Sequence, residues 1–225
     1  MTSVPVSVMA ADVKHESLWV ILKIISAKTK ALAACEDFLE MRGIYRSGLL
    51  GKGVAGMLDL HDPGISVRKR WLILTKGVGF APAVNLIRWA ADRIDIHVIA
   101  DPEKVGDDVI RQQFRAWQPE GHRSEDGRFR LEFQSLAKLL EQPAAASPLQ
   151  QTDYDRIFLL ASDYYIKRLS AVMKIPPDKL VFCNNFHLCC GEGICGACGH
   201  VDAEGNLRKM CKCREFSALD LLLPE

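Results

Sequence analysis

The chain has 225 residues, of which 48% are hydrophobic, 25% charged and 8% aromatic, and its formal net charge is +1. This composition is globular and excludes collagen-like, coiled-coil and wholly disordered classes. The nearly balanced charge and the lack of a basic block do not predict nucleic-acid binding. No apolar run predicts a membrane span, and the N-terminus has no secretory-signal pattern, so we expect a cytoplasmic protein.

The first 68 residues predict a small β unit. Residues 18–25 (LWVILKII) and 39–45 (LEMRGIY) have the composition of strands, and the glycine-rich stretch 47–53 predicts a turn. Short strands separated by glycine-rich turns are typical of a barrel-like unit. Fewer than 70 residues precede the next unit, so any barrel here must be small.

Residues 69–180 predict a parallel α/β domain. Buried-strand runs alternate with amphipathic stretches, which is typical of βαβ units around a parallel sheet. Residues 142–152 predict a surface loop. The expected strands are 70–75, 95–100, 128–133 and 156–161, and the expected helices are 83–92, 106–117, 135–141 and 163–174.

The last 45 residues, 181–225, contain most of the cysteine. Seven of the eight cysteines lie between Cys183 and Cys213, which in a reducing compartment indicates metal or cluster binding rather than disulfides. One set has the C-x4-C-x2-C…C spacing of plant-type 2Fe–2S ligands. Its members are Cys190, Cys195, Cys198 and Cys211.

The residues between these cysteines suit a loop wrapped closely around a cluster. Gly191, Gly193, Gly196 and Gly199 permit unusual backbone angles and let amide N–H groups approach the sulfur atoms. Residues 201–208 predict a hairpin with its turn at 204–206, which would return Cys211 to the loop.

Other ligand sets are compatible with the same cysteines. Cys195, Cys198, Cys211 and Cys213 would make a four-cysteine zinc site, but that choice leaves Cys190 and its glycines unexplained. Cys189 and Cys213 each lie close to a proposed ligand and could replace it. We expect Cys35 and Cys183 to be buried thiols without ligand function.

A glycine turn follows the first strand of the α/β domain. Gly77 and Gly79, with Pro82 after them, lie between a strand and a helix, where a turn can place a pyrophosphate at a helix N-terminus. The same pattern is also typical of a tight turn that binds nothing.

The sequence GVGFAP, followed by CGEGICGAC, resembles the electron-transfer subunits of dihydroorotate dehydrogenase, in the ferredoxin–NADP reductase superfamily. That resemblance implies a flavin-binding β-barrel over residues 1–68, a nucleotide-binding α/β domain over 69–180 and a 2Fe–2S module over 181–225. Within the first unit, 26–32 and 43–51 resemble the late strands and turn of the family barrel. Pro5 and Ser7 resemble part of the family's flavin motif.

Several positions depart from the family pattern. Val4 stands where the family has the flavin-phosphate arginine, and the chain starts at this motif, so we expect a truncated antiparallel barrel remnant. Lys76 replaces the first glycine of a double glycine, and 161–163 (ASD) replaces Cys-Gly-Pro. Val4 and the missing first strands weaken the case for FAD, which stays a possible cofactor. Lys76 and residues 161–163 argue against NAD(P).

The sequence therefore predicts an iron–sulfur electron-transfer subunit of a flavin-dependent oxidoreductase complex. Its expected cofactor is a 2Fe–2S cluster, and FAD is a possible second cofactor. Its expected partner is another oxidoreductase subunit or redox protein. The alternatives are a self-contained NAD(P)H-oxidising FAD/2Fe–2S reductase and a zinc-binding structural protein. No Ser/His/Asp set or pair of acids predicts acid–base catalysis, so no catalytic residue is assigned.

Overall fold

The computed structural model places a six-stranded, mainly parallel sheet at the centre of the described part of the chain. It describes residues 8–36, 48–54, 69–117, 128–141, 153–183, 190–202 and 204–213. The predicted α/β class is confirmed, and each strand expected between 69 and 180 forms. The strands of this sheet, in spatial order, are β3 (Leu49–Leu50), β8 (Leu180–Cys183), β7 (Arg156–Leu160), β4 (Arg70–Lys76), β5 (Asp95–Asp101) and β6 (Phe129–Phe133).

Strands β4 to β8 run parallel, and β3 pairs antiparallel with β8. β4, β7 and β8 are buried on both faces, which explains why they appear in the sequence as continuous apolar runs rather than as alternating patterns. The chain leaves β4 for β5 and β6 on one side and returns to β7 and β8 on the other. The direction of winding thus reverses between β4 and β7, as in doubly wound nucleotide-binding domains.

Helices cover both faces of the sheet. On one face, α2 and α3 pack over Trp71, Ile73 and Phe158, and on the other α4 and α5 pack over Leu72 and Leu159. Helix positions expected from the sequence are right to within a few residues. The helix bounds are α1 (Ala27–Ala33), α2 (Phe80–Ala90), α3 (Asp107–Trp117), α4 (Leu136–Glu141) and α5 (Asp163–Val172).

The N-terminal unit contributes an antiparallel hairpin of β1 (Val8–Asp12) and β2 (Ser17–Val20). Met9 joins the core over α2, and the Asn85 side chain donates a hydrogen bond to the Val8 carbonyl. A strand was expected over residues 18–25, and the observed strand β2 is shorter and ends at Val20. A hairpin alone does not make a barrel, so the truncated barrel remains a prediction.

Two expectations for this unit need correction. Residues 26–32, expected to match late barrel strands, lie in α1 because Ser26 caps the helix: the Thr29 amide donates to Ser26 Oγ, and the Ser26 amide donates to Thr29 Oγ1. Of the glycine-rich stretch 47–53, residues 48–53 are described, and they contain β3, an edge strand of the main sheet, and the start of a 3-10 turn. The expected strand 39–45 and loop 142–152 lie outside the described residues.

The cysteine-rich module contains a second hairpin, of β9 (Gly199–Val201) and β10 (Leu207–Lys209). The predicted hairpin and its turn are confirmed. Among the helices that the structure describes, none has the length and apolarity needed to cross a membrane.

A half-buried polar cluster lies on the α4/α5 side, near the amino ends of the strands. His97 Nδ1 is 2.8 Å from Tyr154 Oη, and His97 Nε2 is 3.3 Å from a Glu132 carboxylate oxygen. Arg130 contacts the same carboxylate, and the Arg70 guanidinium lies 5.3 Å from the Tyr154 ring centroid. Burial lowers the pKa of His97 from its ordinary 6.5, although Glu132 acts in the opposite direction.

The lowered pKa of His97 predicts acid sensitivity. The unfolded chain binds a proton at this residue more readily than the folded chain, so this stabilisation is present above pH 6.5 and is lost as the pH falls below it. Replacing His97 with Gln should flatten the decline in unfolding free energy measured by urea denaturation between about pH 7.5 and 5. His15→Gln, at an exposed histidine, is the control. Equal slopes for the wild type and His97→Gln would contradict the prediction.

Candidate functional site

The loop that carries the cysteines is held by a tightly bonded turn at Asp202. Its carboxylate accepts hydrogen bonds from the Glu204 amide at 3.1 Å, the Asn206 amide at 2.8 Å and Arg208 Nε at 2.8 Å. Arg208 is the main cause of the lowered pKa of Asp202. This turn fixes the β9–β10 hairpin, so the chain returns to the loop at a defined register.

The hairpin brings Cys211 back against Cys198. The Met210 amide donates to the Cys198 carbonyl at 3.0 Å, and the Cys211 amide donates to Cys198 Sγ at 3.4 Å. Burial raises the pKa of the Cys211 thiol, and the nearby Cys198 and Cys190 sulfurs raise it further. These two thiols therefore form an inner pair.

Cys190 and Cys195 form an outer pair. The amides of Glu192 and Cys195 donate to Cys190 Sγ at 3.3 and 3.5 Å. Hydrogen bonds from the amides of Cys195, Ile194 and Glu192, with one from the Cys195 side chain, lower the pKa of Cys190 to about 6. A thiol in this setting is a good source of the thiolate that iron binds.

The two pairs differ in their exposure to solvent. Cys198 is 3% exposed and Cys211 5%, and both pack in the same core as Leu159 and Phe182 of the central sheet. Cys195 is exposed and Cys190 half-buried. The inner pair is thus packed in the core of the central sheet, while the outer pair is more exposed to solvent.

Glycine is needed at three points of this loop. Gly191, Gly193 and Gly196 have φ values of 69°, 74° and 73°, a region that side chains disfavour. These turns direct the amides between them toward the Cys190 sulfur. The structure therefore places Cys190, Cys195 and Cys198 in one glycine-rich loop and returns Cys211 against Cys198.

Of the remaining cysteines, Cys35 and Cys183 lie elsewhere in the described chain, whereas Cys213 packs against the core of the inner pair. Cys183, at the end of β8, is half-buried, and its thiol donates to the Ala161 carbonyl at 3.1 Å. Cys35 was expected to be buried and is exposed, because α1 has no buried face. Cys213 is half-buried next to the core, and Cys189 lies outside the described residues.

No three His, Cys, Asp or Glu side chains in the described part of the chain come together as a site for a single metal ion. A 2Fe–2S cluster takes two thiolates on each of two irons. The donor set in this loop consists of an inner and an outer pair of thiols.

The glycine turn lies at the carboxyl edge of the sheet, beside the reversal point between β4 and β7. Gly77 to Gly79 form a short 3-10 turn that leads directly into α2, and Pro82 lies in the first turn of that helix. An ideal Cβ at Gly79 would lie 1.9 Å from the Leu160 carbonyl oxygen, so this glycine permits contact between the turn and β7. Pro5 and Ser7 lie outside the described residues.

Sequence reasoning missed the partners of Lys76. Its side chain contacts Asp101, Glu103 and Tyr165, which belong to segments that follow other strands. The sequence signal for this cluster was a lysine beside a glycine turn. The residues that contact Lys76 come close to it because of the order of the strands in the sheet.

A known structure shares this fold. The NADH-dependent reduced ferredoxin–NADP oxidoreductase, described in a study of flavin-based electron bifurcation, superposes with a TM-score of 0.61 at 13% sequence identity. The match covers 96% of this chain and 73% of that one. No protein-family model and no curated protein matches the sequence. At this identity the likeness shows a shared fold alone, and function must be argued from the site.

The packing of the inner thiols predicts that Met210 anchors the loop. Met210 is 1% exposed within the core that holds Cys198 and Cys211, so Met210→Ala leaves a cavity beneath them. We expect a loss of about 2–5 kcal/mol in unfolding free energy and faster proteolysis between 190 and 213. Leu207→Ala, at a residue 67% exposed on the same hairpin, is the control, with a change within about 0.5 kcal/mol. Equal effects of the two substitutions would contradict this anchoring.

Proposed function

We propose that this protein is an iron–sulfur electron-transfer subunit of a flavin-dependent oxidoreductase complex. Cys190, Cys195, Cys198 and Cys211 hold a 2Fe–2S cluster, and the chain passes electrons between a flavin and a partner subunit. The observation that carries this proposal is the arrangement of the four thiols as an inner and an outer pair within one glycine-rich loop.

The residues of the loop fit the chemistry of such a cluster. When bound, a 2Fe–2S cluster supplies one-electron transfer. Cys198 and Cys211 attach it to the rigid core of the α/β domain, while Cys190 and Cys195 hold its outer side. The amides of Glu192 and Cys195 donate to the Cys190 sulfur, and such hydrogen bonds stabilise negative charge and raise the reduction potential.

The surface around the outer pair suits contact with another redox protein. Ile194, between the two outer cysteines, is 81% exposed, and Cys195 is exposed beside it. An apolar side chain at the tip of a ligand loop is unfavourable in water and favourable in an interface. This arrangement supports transfer of electrons through the Ile194 side of the loop to a partner.

A second exposed apolar region supports a subunit role. Leu18, Trp19 and Val20 of β2 are 45%, 51% and 41% exposed, and Ile24 and Ile25 follow at 54% and 75%. A run of apolar residues along an edge strand is an association surface in water. We propose that an oxidoreductase subunit covers it.

The proposed flavin link rests on the fold. The structural neighbour is an NADH-dependent reduced ferredoxin–NADP oxidoreductase studied for flavin-based electron bifurcation. FAD held by this chain near Pro5 and Ser7, or shared with a partner, would be the electron donor or acceptor. Flavin content of the purified chain, with and without its partner, separates these two arrangements.

The thiol pairs predict which cysteines retain iron. Cys195→Ala should lose the visible iron–sulfur absorbance and most of the iron, because the outer pair loses one of its two ligands. Cys35→Ala and Cys183→Ala, which change cysteines outside the pairs, should keep about two irons and two sulfides per chain. Anaerobic purification, metal and sulfide analysis, and electron paramagnetic resonance of the reduced protein provide the measurement.

Two results would overturn this assignment. One is full retention of iron and sulfide by Cys195→Ala. The other is wild-type protein that contains zinc and no iron after anaerobic purification, which would favour the structural zinc alternative.

A further inference from the structure

Lys76 lies where a nucleotide-binding domain of this topology holds its ligand. In open parallel sheets, ligands occupy the crevice beyond the carboxyl ends of the two strands between which the winding reverses. In this protein those strands are β4 and β7. Lys76 is the last residue of β4, and the glycine turn begins immediately after it.

The Lys76 side chain contacts groups from both sides of this crevice. Its Nζ lies 2.6 Å from an Asp101 carboxylate oxygen at the end of β5 and 3.3 Å from a Glu103 oxygen just beyond. The same Nζ lies 5.0 Å from the ring centroid of Tyr165, in the first turn of α5 after β7. With only 15% of its side chain exposed, Lys76 is largely buried at the carboxyl end of β4, between groups that follow β5 and β7.

Glu103 covers the glycine turn itself. An ideal Cβ at Gly77 would lie 2.7 Å from Glu103 Oε2, so the carboxylate rests against the backbone that a pyrophosphate must approach. Lys23 Nζ lies 3.6 Å from the same carboxylate oxygen. A phosphate at this turn would meet a carboxylate, which repels it, in place of bare amides.

The cluster is also costly to open. The Asp101 oxygen that binds Lys76 accepts a second hydrogen bond from the Leu136 amide at 2.9 Å, which ties it to the start of α4. Burial lowers the pKa of Lys76, but hydrogen bonds to Asp101 and Glu103 outweigh it, so the amine stays charged at neutral pH. A ligand that displaced Lys76 would leave the buried Asp101 carboxylate without its charged partner.

We propose that Lys76 and Glu103 close this crevice, so that the α/β domain binds neither NADH nor NADPH although its topology is that of a nucleotide-binding domain. Lys76 is then the specificity-determining residue at the reversal point. The closure concerns nucleotide binding alone and stands whether or not the cysteines hold a cluster. Combined with the proposed electron-transfer role, it implies that electrons enter this chain from a protein partner.

Titration of the full-length chain with NADH and with NADPH, followed by nucleotide fluorescence, tests the closure. The wild type should show no saturable binding up to about 1 mM. The opened variant, Lys76→Gly/Glu103→Gln, removes the bulk and the carboxylate together without changing net charge. It should bind one of the two nucleotides at least about tenfold more tightly than the wild type.

The matched control is Lys104→Gly/Asp108→Asn, which makes the same change in charge at two neighbouring exposed residues. It should bind no better than the wild type. Circular dichroism and thermal melting check that each variant folds, and Lys76→Ala/Glu103→Gln replaces the opened variant if glycine disrupts the strand end.

Two outcomes would overturn the proposal. The first is saturable wild-type binding with a Kd below about 1 mM, which needs no variant to fold. The second is a folded opened variant that binds no more tightly than the wild type. Iron content measured on the same samples tests the proposed cluster separately, so failure of one proposal is distinguishable from failure of the other.

Discussion

The burial of two thiols in the core of the central sheet is the constraint on which the candidate site depends. Cys198 and Cys211 share that core with Phe182 of β8, so the loop is attached to the α/β domain on the side that positions its ligands. A glycine-rich segment has few apolar side chains and gains little free energy from its own packing. The sheet supplies the missing contacts, and the Asp202 turn fixes where the returning strand meets them.

After β8 the chain leads to the cysteine loop, where amides donate to the Cys190 sulfur. A different polar cluster lies at the carboxyl edge of the sheet. Beyond β4 and β5, Lys76 pairs with Asp101 and Glu103, and the Glu103 carboxylate rests against the glycine turn. A parallel sheet concentrates polar groups at this edge whatever their use, so topology alone does not tell a binding crevice from a closed ion cluster.

The sequence was informative where local pattern decides structure. Runs such as 70–75 are apolar because β4 is buried on both faces, and the glycines between the cysteines indicate the tight turns of that loop. β3 has two residues and β8 four, too short for a pattern to reveal. A strand was expected where α1 forms, because the expectation came from likeness to a family. The capping pair Ser26 and Thr29, which is a local signal for a helix start, was not considered. The Lys76 cluster depends on which strands become neighbours, a tertiary property that no local pattern contains.

The short strand β3 has a consequence for motion. Leu49 and Leu50 pair with β8, and Arg156 Nε donates to the Gly53 carbonyl at 2.9 Å, so residues 48–54 are joined to the edge of the sheet. A hinge rotation of these residues would have to break this pairing first. Residues 48–54 and the end of β8 therefore move as one body, and a displacement of either is passed to the other.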